Sequence, residues 1–226
     1  MGGHGFGGGS GLVGINSDYL SKPTVEGDNW MITQQVASYL IKKMAAVVKD
    51  PRAPSRDPAD MLFKHYLERK DRPPTKDILK GDKIDDEAIS EAFAWRAAHL
   101  SFQAYEARIV QKQKWNMLLI QLHKLSRAYS ESILVTNFYQ ALQSLPLCEQ
   151  TTAVMKDLYR LYALYTMDVE ARSFAVCNAV SSSDLDKLPS LILNLMTEKI
   201  RPHAVKLVDS WAMPDYLLDS ALGRYD

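Results

Sequence analysis

One turn of the sequence has the residues for acid–base chemistry. The segment Pro23–Trp30 places Glu26 directly before Gly27, ahead of a run that is typical of a helix. A carboxylate on such a turn, flanked by the apolar side chains of Val25 and Trp30, could project into a cleft. Desolvation there would raise its pKa and make it a usable proton acceptor. Glu26 is therefore a candidate catalytic base.

Helix capping is the alternative use of these polar residues, because negative charge and side-chain oxygens complement the positive end of a helix. Capping accounts fully for Asp28 and Asn29. It accounts less well for Glu26, which precedes the cap.

Glycines are concentrated near the beginning of the chain. Nine of the eleven lie between Gly2 and Gly27, and the run Gly2–Phe6 sets three of them around His4 and an aromatic residue. Glycine allows the backbone to approach a ligand closely, and exposed N–H groups in such a loop can hold a phosphate. A flexible glycine-rich leader is the alternative interpretation.

The glycine-poor remainder predicts helices, because glycine is costly inside them. Capping residues, prolines and apolar spacing set the expected limits. The predicted helices run from Asp28 or Asn29 to about Lys49, Pro58 to about Arg69, Asp85 or Asp86 onward past Tyr105, Trp115 to before Pro146, Glu149 to about Val180, Leu188 to Lys199, and Pro202 to Trp211. The segment Asp71–Lys83 is predicted to be a loop. No run of strand periodicity is long enough to predict a sheet, so the fold class is all-α.

The helix that begins near Asp86 has apolar residues on two nearly opposite sides. We expect it to be buried on both, in the middle of a bundle or between the bundle and a partner subunit. One stripe is Ile89, Phe93, Ala97, Leu100 and Ala104, and the other is Trp95, Ala98, Phe102, Tyr105 and Ile109. The series Tyr159, Tyr162 and Tyr165 could form an aromatic box, although helix packing is the favoured interpretation.

Composition narrows the possible partners. Lys+Arg and Asp+Glu are equal at 27 each, so a basic nucleic-acid binder is not expected. No apolar run is long enough to span a bilayer. Cys148 and Cys177 are far apart and outside any metal-ligand spacing, so we expect no metal site or disulfide, and two small buried hydrophobes instead.

Several spaced motifs resemble the acyl-CoA oxidase family. They are Gly2–Phe6, Ser10-Gly11-Leu12, Thr24–Asn29, Thr33–Leu40, Arg201–Asp209 and Leu222–Asp226. In that family a GGHG(Y/F) segment precedes an (F/Y/W)EG(E/D)N segment. Val25 departs from this pattern, since it replaces the usual aromatic residue. The resemblance implies a helical bundle like the C-terminal helical domains of the acyl-CoA oxidase/dehydrogenase fold.

The resemblance also implies roles for individual residues. Glu26 would be the base that removes the α-proton of a fatty acyl-CoA, while the β-hydrogen leaves as hydride to FAD. Reduced flavin would then pass its electrons to oxygen, giving hydrogen peroxide and a trans-2-enoyl-CoA. The residues expected to contact FAD are Gly2, Gly3, His4, Gly5, Gly27, Asp28 and Asn29. A homodimer and a peroxisomal location are implied as well, although the chain ends without a Ser-Lys-Leu-type tripeptide.

The same resemblance suggests three regions: residues 1–50 as the end of a flavin-binding helical domain, 51–84 as a linker, and 85–226 as a C-terminal helical domain. We expect the chain to be part of a longer enzyme and to be inactive alone. Two alternatives stay open. An acyl-CoA dehydrogenase shares the Glu base, but its likeness would cover only one or two helices, whereas about 200 residues follow Glu26 here. A non-catalytic module would dimerise through the apolar faces of the helix over residues 87–109.

Overall fold

The computed structural model describes residues 2–73, 77–81, 83–218 and 220–223, and the predicted motif residues Arg224–Asp226 lie outside them. Apart from two strands of two residues each, the regular elements within these ranges are helical, so the all-α prediction is confirmed. The chain divides into two compact units. One comprises the chain up to Ile32 and from His203 onward, and the other comprises Thr33–Pro202.

The unit built from the chain ends contains short helices. They are α1 (Gly3–Phe6), a 3₁₀ turn at Gly8–Ser10, α2 (Leu12–Tyr19), and, after the longer unit, α11 (Ala204–Asp209), α12 (Asp215–Leu218) and a 3₁₀ turn at Ala221–Gly223. The turns Gly8–Ser10 and Ala221–Gly223 contact each other. The glycine-rich entry is therefore wound into helical turns, where the sequence predicted an open loop.

The longer unit is a bundle of helices. Its helices are α3 (Asn29–Lys49, from Thr33 onward in this unit), α4 (Pro58–Arg69), α5 (Asp86–Tyr105), α6 (Leu119–Ser144), α7 (Glu149–Val169), α8 (Ala171–Val176), α9 (Ser182–Leu185) and α10 (Leu188–Asn194). Helix α5 packs most extensively on α6, and also against α4 and α8. Segments Glu106–Val110 and Leu195–Ile200 are π-helical continuations of α5 and α10. No described helix is long and apolar enough to cross a membrane.

Local chemistry sets the helix starts as predicted. The Asp57 side chain accepts the Asp60 N–H, the Asp60 side chain reaches back to the cap, and Pro58 occupies the first helical position of α4. Asp85 caps α5 by accepting the Ala88 N–H at 3.1 Å. These side chains satisfy N–H groups that have no partner inside the helix.

Helix α5 lies in the middle of the bundle. Ile89 and Phe93 from one stripe and Trp95 and Ala98 from the other are all buried within this chain, which confirms the predicted burial of two opposite faces. The exception is Ile109, which is exposed beyond the end of the helix. Because these faces are already covered by the chain's own helices, they are not free to serve as the dimerisation surface of the non-catalytic alternative.

Four further local features differ from the sequence-based expectation. The helix predicted from Glu149 to Val180 is broken at Glu170 into α7 and α8. The predicted loop contains a small antiparallel hairpin, β1 (Leu79–Lys80) with β2 (Lys83–Ile84). Tyr165 is exposed while Tyr159 is buried, because only the latter faces α5 and α6. Cys148 is exposed at the start of α7, and only Cys177 is a buried hydrophobe.

Candidate active site

Glu26 lies on a compact turn that leads into α3. The Gly27 N–H donates to the Thr24 carbonyl at 3.3 Å, and the Asn29 N–H donates to the Pro23 carbonyl at 3.1 Å. Gly27 has a φ of 115°, a conformation that side-chain-bearing residues rarely adopt. A glycine directly after Glu26 is thus what allows the chain to turn here.

Asp28 closes this turn by capping α3. Its Oδ1 accepts the Trp30 N–H at 2.9 Å, and its carbonyl accepts the N–H groups of Met31 and Ile32. The capping interpretation of Asp28 is therefore confirmed. Asn29 is the first residue of the helix. The cap fixes the direction in which the backbone leaves the Glu26 turn.

The Glu26 side chain is exposed, as are Val25 and Trp30. The expected cleft around the carboxylate is therefore not formed by its immediate neighbours. Many large hydrophobic side chains of the same unit are exposed as well. They include Phe6, Ile15, Tyr19, Leu20, Val25, Trp30 and Met31 in the first part of the unit and Val205, Val208, Trp211 and Tyr216 in the second. So much exposed apolar surface is typical of a region that another protein surface or a ligand covers.

The glycine-rich segment folds around Ser10. Ser10 has a buried polar side chain, and its hydroxyl donates to the carbonyl of His4, while the Leu12 N–H donates to the hydroxyl at 3.3 Å. A Cβ on Gly7 would lie 3.2 Å from the Gly3 carbonyl, which is a tight approach. Sequence reasoning singled out the glycines around His4 and missed that Ser10 and Gly7 order them.

The residues predicted to contact a cofactor fall into two groups in the structure. Gly2, Gly3, His4 and Gly5 lie in or next to the single turn of α1, and all are exposed. Gly27 and Asp28 lie with Glu26 on the turn before α3, Asn29 begins that helix, and all three are exposed too. A Cβ added at Gly2 or Gly3 would meet nothing within 4 Å, so the backbone there presents an open surface to an incoming group.

Helix α3 is anchored within the longer unit by polar contacts that the sequence did not reveal. Trp115 Nε1 donates to Gln34 Oε1 at 2.8 Å, and Thr33 Oγ1 lies 3.2 Å from His123 Nδ1. The Ser126 hydroxyl donates to the Thr33 carbonyl. The helix that follows the Glu26 turn is thus fixed in place from Thr33 onward.

Comparison with known protein families identifies the family of this helical chain. The family described as "Acyl-CoA oxidase" matches residues 85–226, and "Acyl-CoA oxidase, C-alpha1 domain" matches residues 1–41. The chain belongs to the acyl-CoA oxidase family.

Individual relatives agree with this assignment. Acyl-coenzyme A oxidase acox-1.4 of Caenorhabditis elegans is 29% identical over 100% of this chain and 33% of its own length. Peroxisomal acyl-coenzyme A oxidase 1 of Rattus norvegicus is 28% identical over 100% of this chain and 35% of its own length. The chain thus spans about a third of the length of the curated relatives it matches.

Solved structures share the fold. The crystal structure of acyl-CoA oxidase-1 from C. elegans, complexed with FAD and ATP, superposes with a TM-score of 0.84 at 26% identity, over 99% of this chain and 33% of that one. The tomato acyl-CoA oxidase superposes with a TM-score of 0.86 at 24% identity, over 99% of this chain and 34% of that one. The helical arrangement described above is therefore one that solved acyl-CoA oxidases also have.

Proposed function

We propose that this chain is the part of an acyl-CoA oxidase that supplies the catalytic base, and that Glu26 is this base. The whole enzyme would oxidise a fatty acyl-CoA to a trans-2-enoyl-CoA in fatty acid β-oxidation, with oxygen as the electron acceptor. The observation that carries the proposal is the turn itself: an exposed glutamate, followed by a glycine at φ 115° and by a capped helix of 21 residues.

The residues around the turn are compatible with FAD. The open backbone at Gly2 and Gly3 leaves room for a flat ring or a diphosphate, and the helix that Asp28 caps carries a positive end near Gly27. These residues would be this chain's contribution to the cofactor site. The C. elegans oxidase complexed with FAD supports the same assignment. The chemistry that FAD supplies when bound is acceptance of the β-hydrogen as hydride and reduction of oxygen to hydrogen peroxide.

The task of this chain's own residues is to place and use one carboxylate. In the proposed reaction Glu26 accepts the proton from the α-carbon of the acyl chain and becomes protonated, while the two electrons of that C–H bond form the new double bond. Gly27 and Asp28 hold the turn in position. Exclusion of water, which would make the carboxylate a stronger base, would come from covering the exposed apolar surface around Val25 and Trp30.

We further propose that the complete site needs protein surface beyond this chain. Two observations support this: Glu26 is exposed, and the chain spans only about a third of the length of its relatives. A homodimer is one way to provide such surface. The regions 1–50, 51–84 and 85–226 are proposed as the end of the flavin-binding domain, the linker and the C-terminal helical domain. A peroxisomal location is proposed from relatives named peroxisomal acyl-coenzyme A oxidases.

The test is Glu26→Gln in a full-length oxidase that contains this chain. We expect acyl-CoA-dependent hydrogen peroxide production to fall at least about a hundredfold, since a positioned general base contributes roughly that much or more, with flavin absorbance unchanged. Glu68→Gln, at an exposed carboxylate on α4, is the matched control and should retain activity. Near-normal turnover of the Glu26 variant would remove that residue from the role.

A further inference from the structure

A cavity of about 500 Å³ lies in the unit Thr33–Pro202, at the place where α5 and α6 meet the junction of α7 with α8. It is remote in sequence from the Glu26 turn, and the proposed oxidation makes no use of it. Its lining combines basic, polar and apolar side chains, which is the composition of a site for a molecule with a charged head and an apolar body.

The deepest basic residue of the cavity is already neutralised. Arg96 is buried and donates to Glu131 at 2.6 Å, to Glu170 at 3.0 Å and to Ser173 at 2.8 Å. The same two carboxylates also face Arg127, at 3.3 and 3.4 Å. Two glutamates are therefore balanced by two arginines, and any further basic residue gives the cavity excess positive charge.

Two further basic residues line the cavity. Lys124 on α6 and Arg172 on α8 are exposed, and within the described part of the chain neither side chain has a hydrogen bond or an ion pair. His99 adds a polar group to the same wall. Its Nδ1 lies 3.0 Å from the Tyr66 hydroxyl, whereas its buried Nε2 has no hydrogen-bond partner among the described residues. An uncompensated polar atom of this kind is rare in a folded protein.

The remaining wall is apolar. Leu100 lies on α5, while Val169 and Val176 are the last residues of α7 and α8 and are both exposed. Apolar side chains beside unpaired cations favour an organic anion over an inorganic one, because burial of the apolar part adds to the attraction of the charge.

We propose that this cavity binds a small amphipathic anion, whose carboxylate or phosphate head pairs with Lys124 and Arg172 and whose apolar part lies against Val169 and Val176. Arginine suits such a head group because its guanidinium can donate two parallel hydrogen bonds to it. None of its lining residues belongs to the proposed catalytic turn, so it would bind its ligand whether or not Glu26 is the base.

The test is isothermal titration calorimetry of the full chain with octanoate and with octyl phosphate. We expect saturable binding of at least one of them. Octanamide, which has the same apolar part without the charge, should bind at least about fivefold more weakly, and so should acetate, which lacks the apolar part. The double variant Lys124→Gln/Arg172→Gln should lose at least about fivefold in affinity, as expected for partly exposed ion pairs.

Lys199→Gln is the matched control, because Lys199 is an exposed lysine outside the cavity lining. All variants change surface side chains, and circular dichroism verifies that they are folded. The proposal is overturned if neither anion binds, if octanamide binds as well as the tighter-binding of the two anions, or if Lys199→Gln weakens binding as much as the double variant does.

Discussion

Arg96 on α5 donates a 2.6 Å hydrogen bond from Nη1 to Oε2 of Glu131 on α6, although the arginine side chain is only 2% exposed. Its Nη2 donates to Glu170, the residue at which the chain breaks between α7 and α8. The Phe174 ring lies under the guanidinium, 4.9 Å from its central carbon. One buried cation thus joins α5, α6 and the α7–α8 junction.

Removal of this cation should destabilise the fold. We expect Arg96→Met to lower the free energy of unfolding by roughly 2–4 kcal/mol, because two partly buried carboxylates lose their most buried partner. The control is Arg127→Met, at a side chain that is 49% exposed and faces the same two glutamates. Arg127→Met should lower the free energy of unfolding by less than about 1 kcal/mol. Urea unfolding measures both, and equal losses would refute the special role of Arg96.

The stability of the chain should depend on pH through His99. Burial lowers the pKa of His99, so the folded state disfavours the protonated ring, whereas the unfolded chain protonates it below its ordinary pKa of about 6.5. Its stabilising contribution is therefore complete above about pH 6.5 and is lost as the pH falls from there towards the folded pKa. Between pH 7 and pH 5, the free energy of unfolding of the parent chain should fall more than that of the His99→Gln variant. A pH-independent difference in urea unfolding would contradict this.

The two cysteines should differ sharply in reactivity. A hydrogen bond with Thr151 lowers the pKa of the exposed Cys148 thiol, while burial raises the pKa of Cys177 to about 11. Because the thiolate is the reactive form, a disulfide reagent at neutral pH should modify one thiol in the folded chain and both in urea. Cys148→Ser should abolish the reaction of the folded chain. Fast labelling that persists in this variant would show that Cys177 is accessible.

The conformation of Gly27 predicts that a methyl group there is harmful. Gly27→Ala should cost roughly 1–3 kcal/mol of stability, because φ is 115° while the added Cβ meets only Ile32 at an ordinary 3.6 Å. Gly14→Ala is the control, since Gly14 lies inside α2 with nothing within 4 Å of an added Cβ. It should be neutral or stabilise by up to about 1 kcal/mol. Chemical denaturation compares them, and a harmless Gly27→Ala would show that the turn tolerates a side chain.

Local signals in the sequence were sufficient for most helix limits. Pro58 after Asp57, and Asp85 before the apolar stripes, act within a few residues, so the starts of α4 and α5 could be predicted. The break at Glu170 could not, because no proline or glycine marks it; the Glu170 side chain pairs with Arg96, which lies 74 positions away in the chain. The small hairpin has a similar long-range contact: the Leu79 N–H donates to Asp184 at 3.2 Å.

The candidate site divides in the same way. The motif around Glu26 and the capping role of Asp28 could be predicted, because each depends on neighbouring residues. The exposure of the Glu26 carboxylate, the buried Ser10 that orders the glycine-rich turns, and the anchoring of Gln34 by Trp115 could not. No sequence motif marks the cavity beside Lys124 and Arg172, because its lining residues come from four helices.

The sequence by itself determined that this chain is helical, where its main helices begin, and which glutamate resembles the family's catalytic base. Only the tertiary structure decided that Tyr159 is buried while Tyr165 is not, that Arg96 is a buried cation with three partners, and that Lys124 and Arg172 share a cavity. The physical reason is the separation along the chain between the residues that interact. Capping and backbone turns are satisfied within a few residues, whereas burial and charge pairing depend on which helix faces come together.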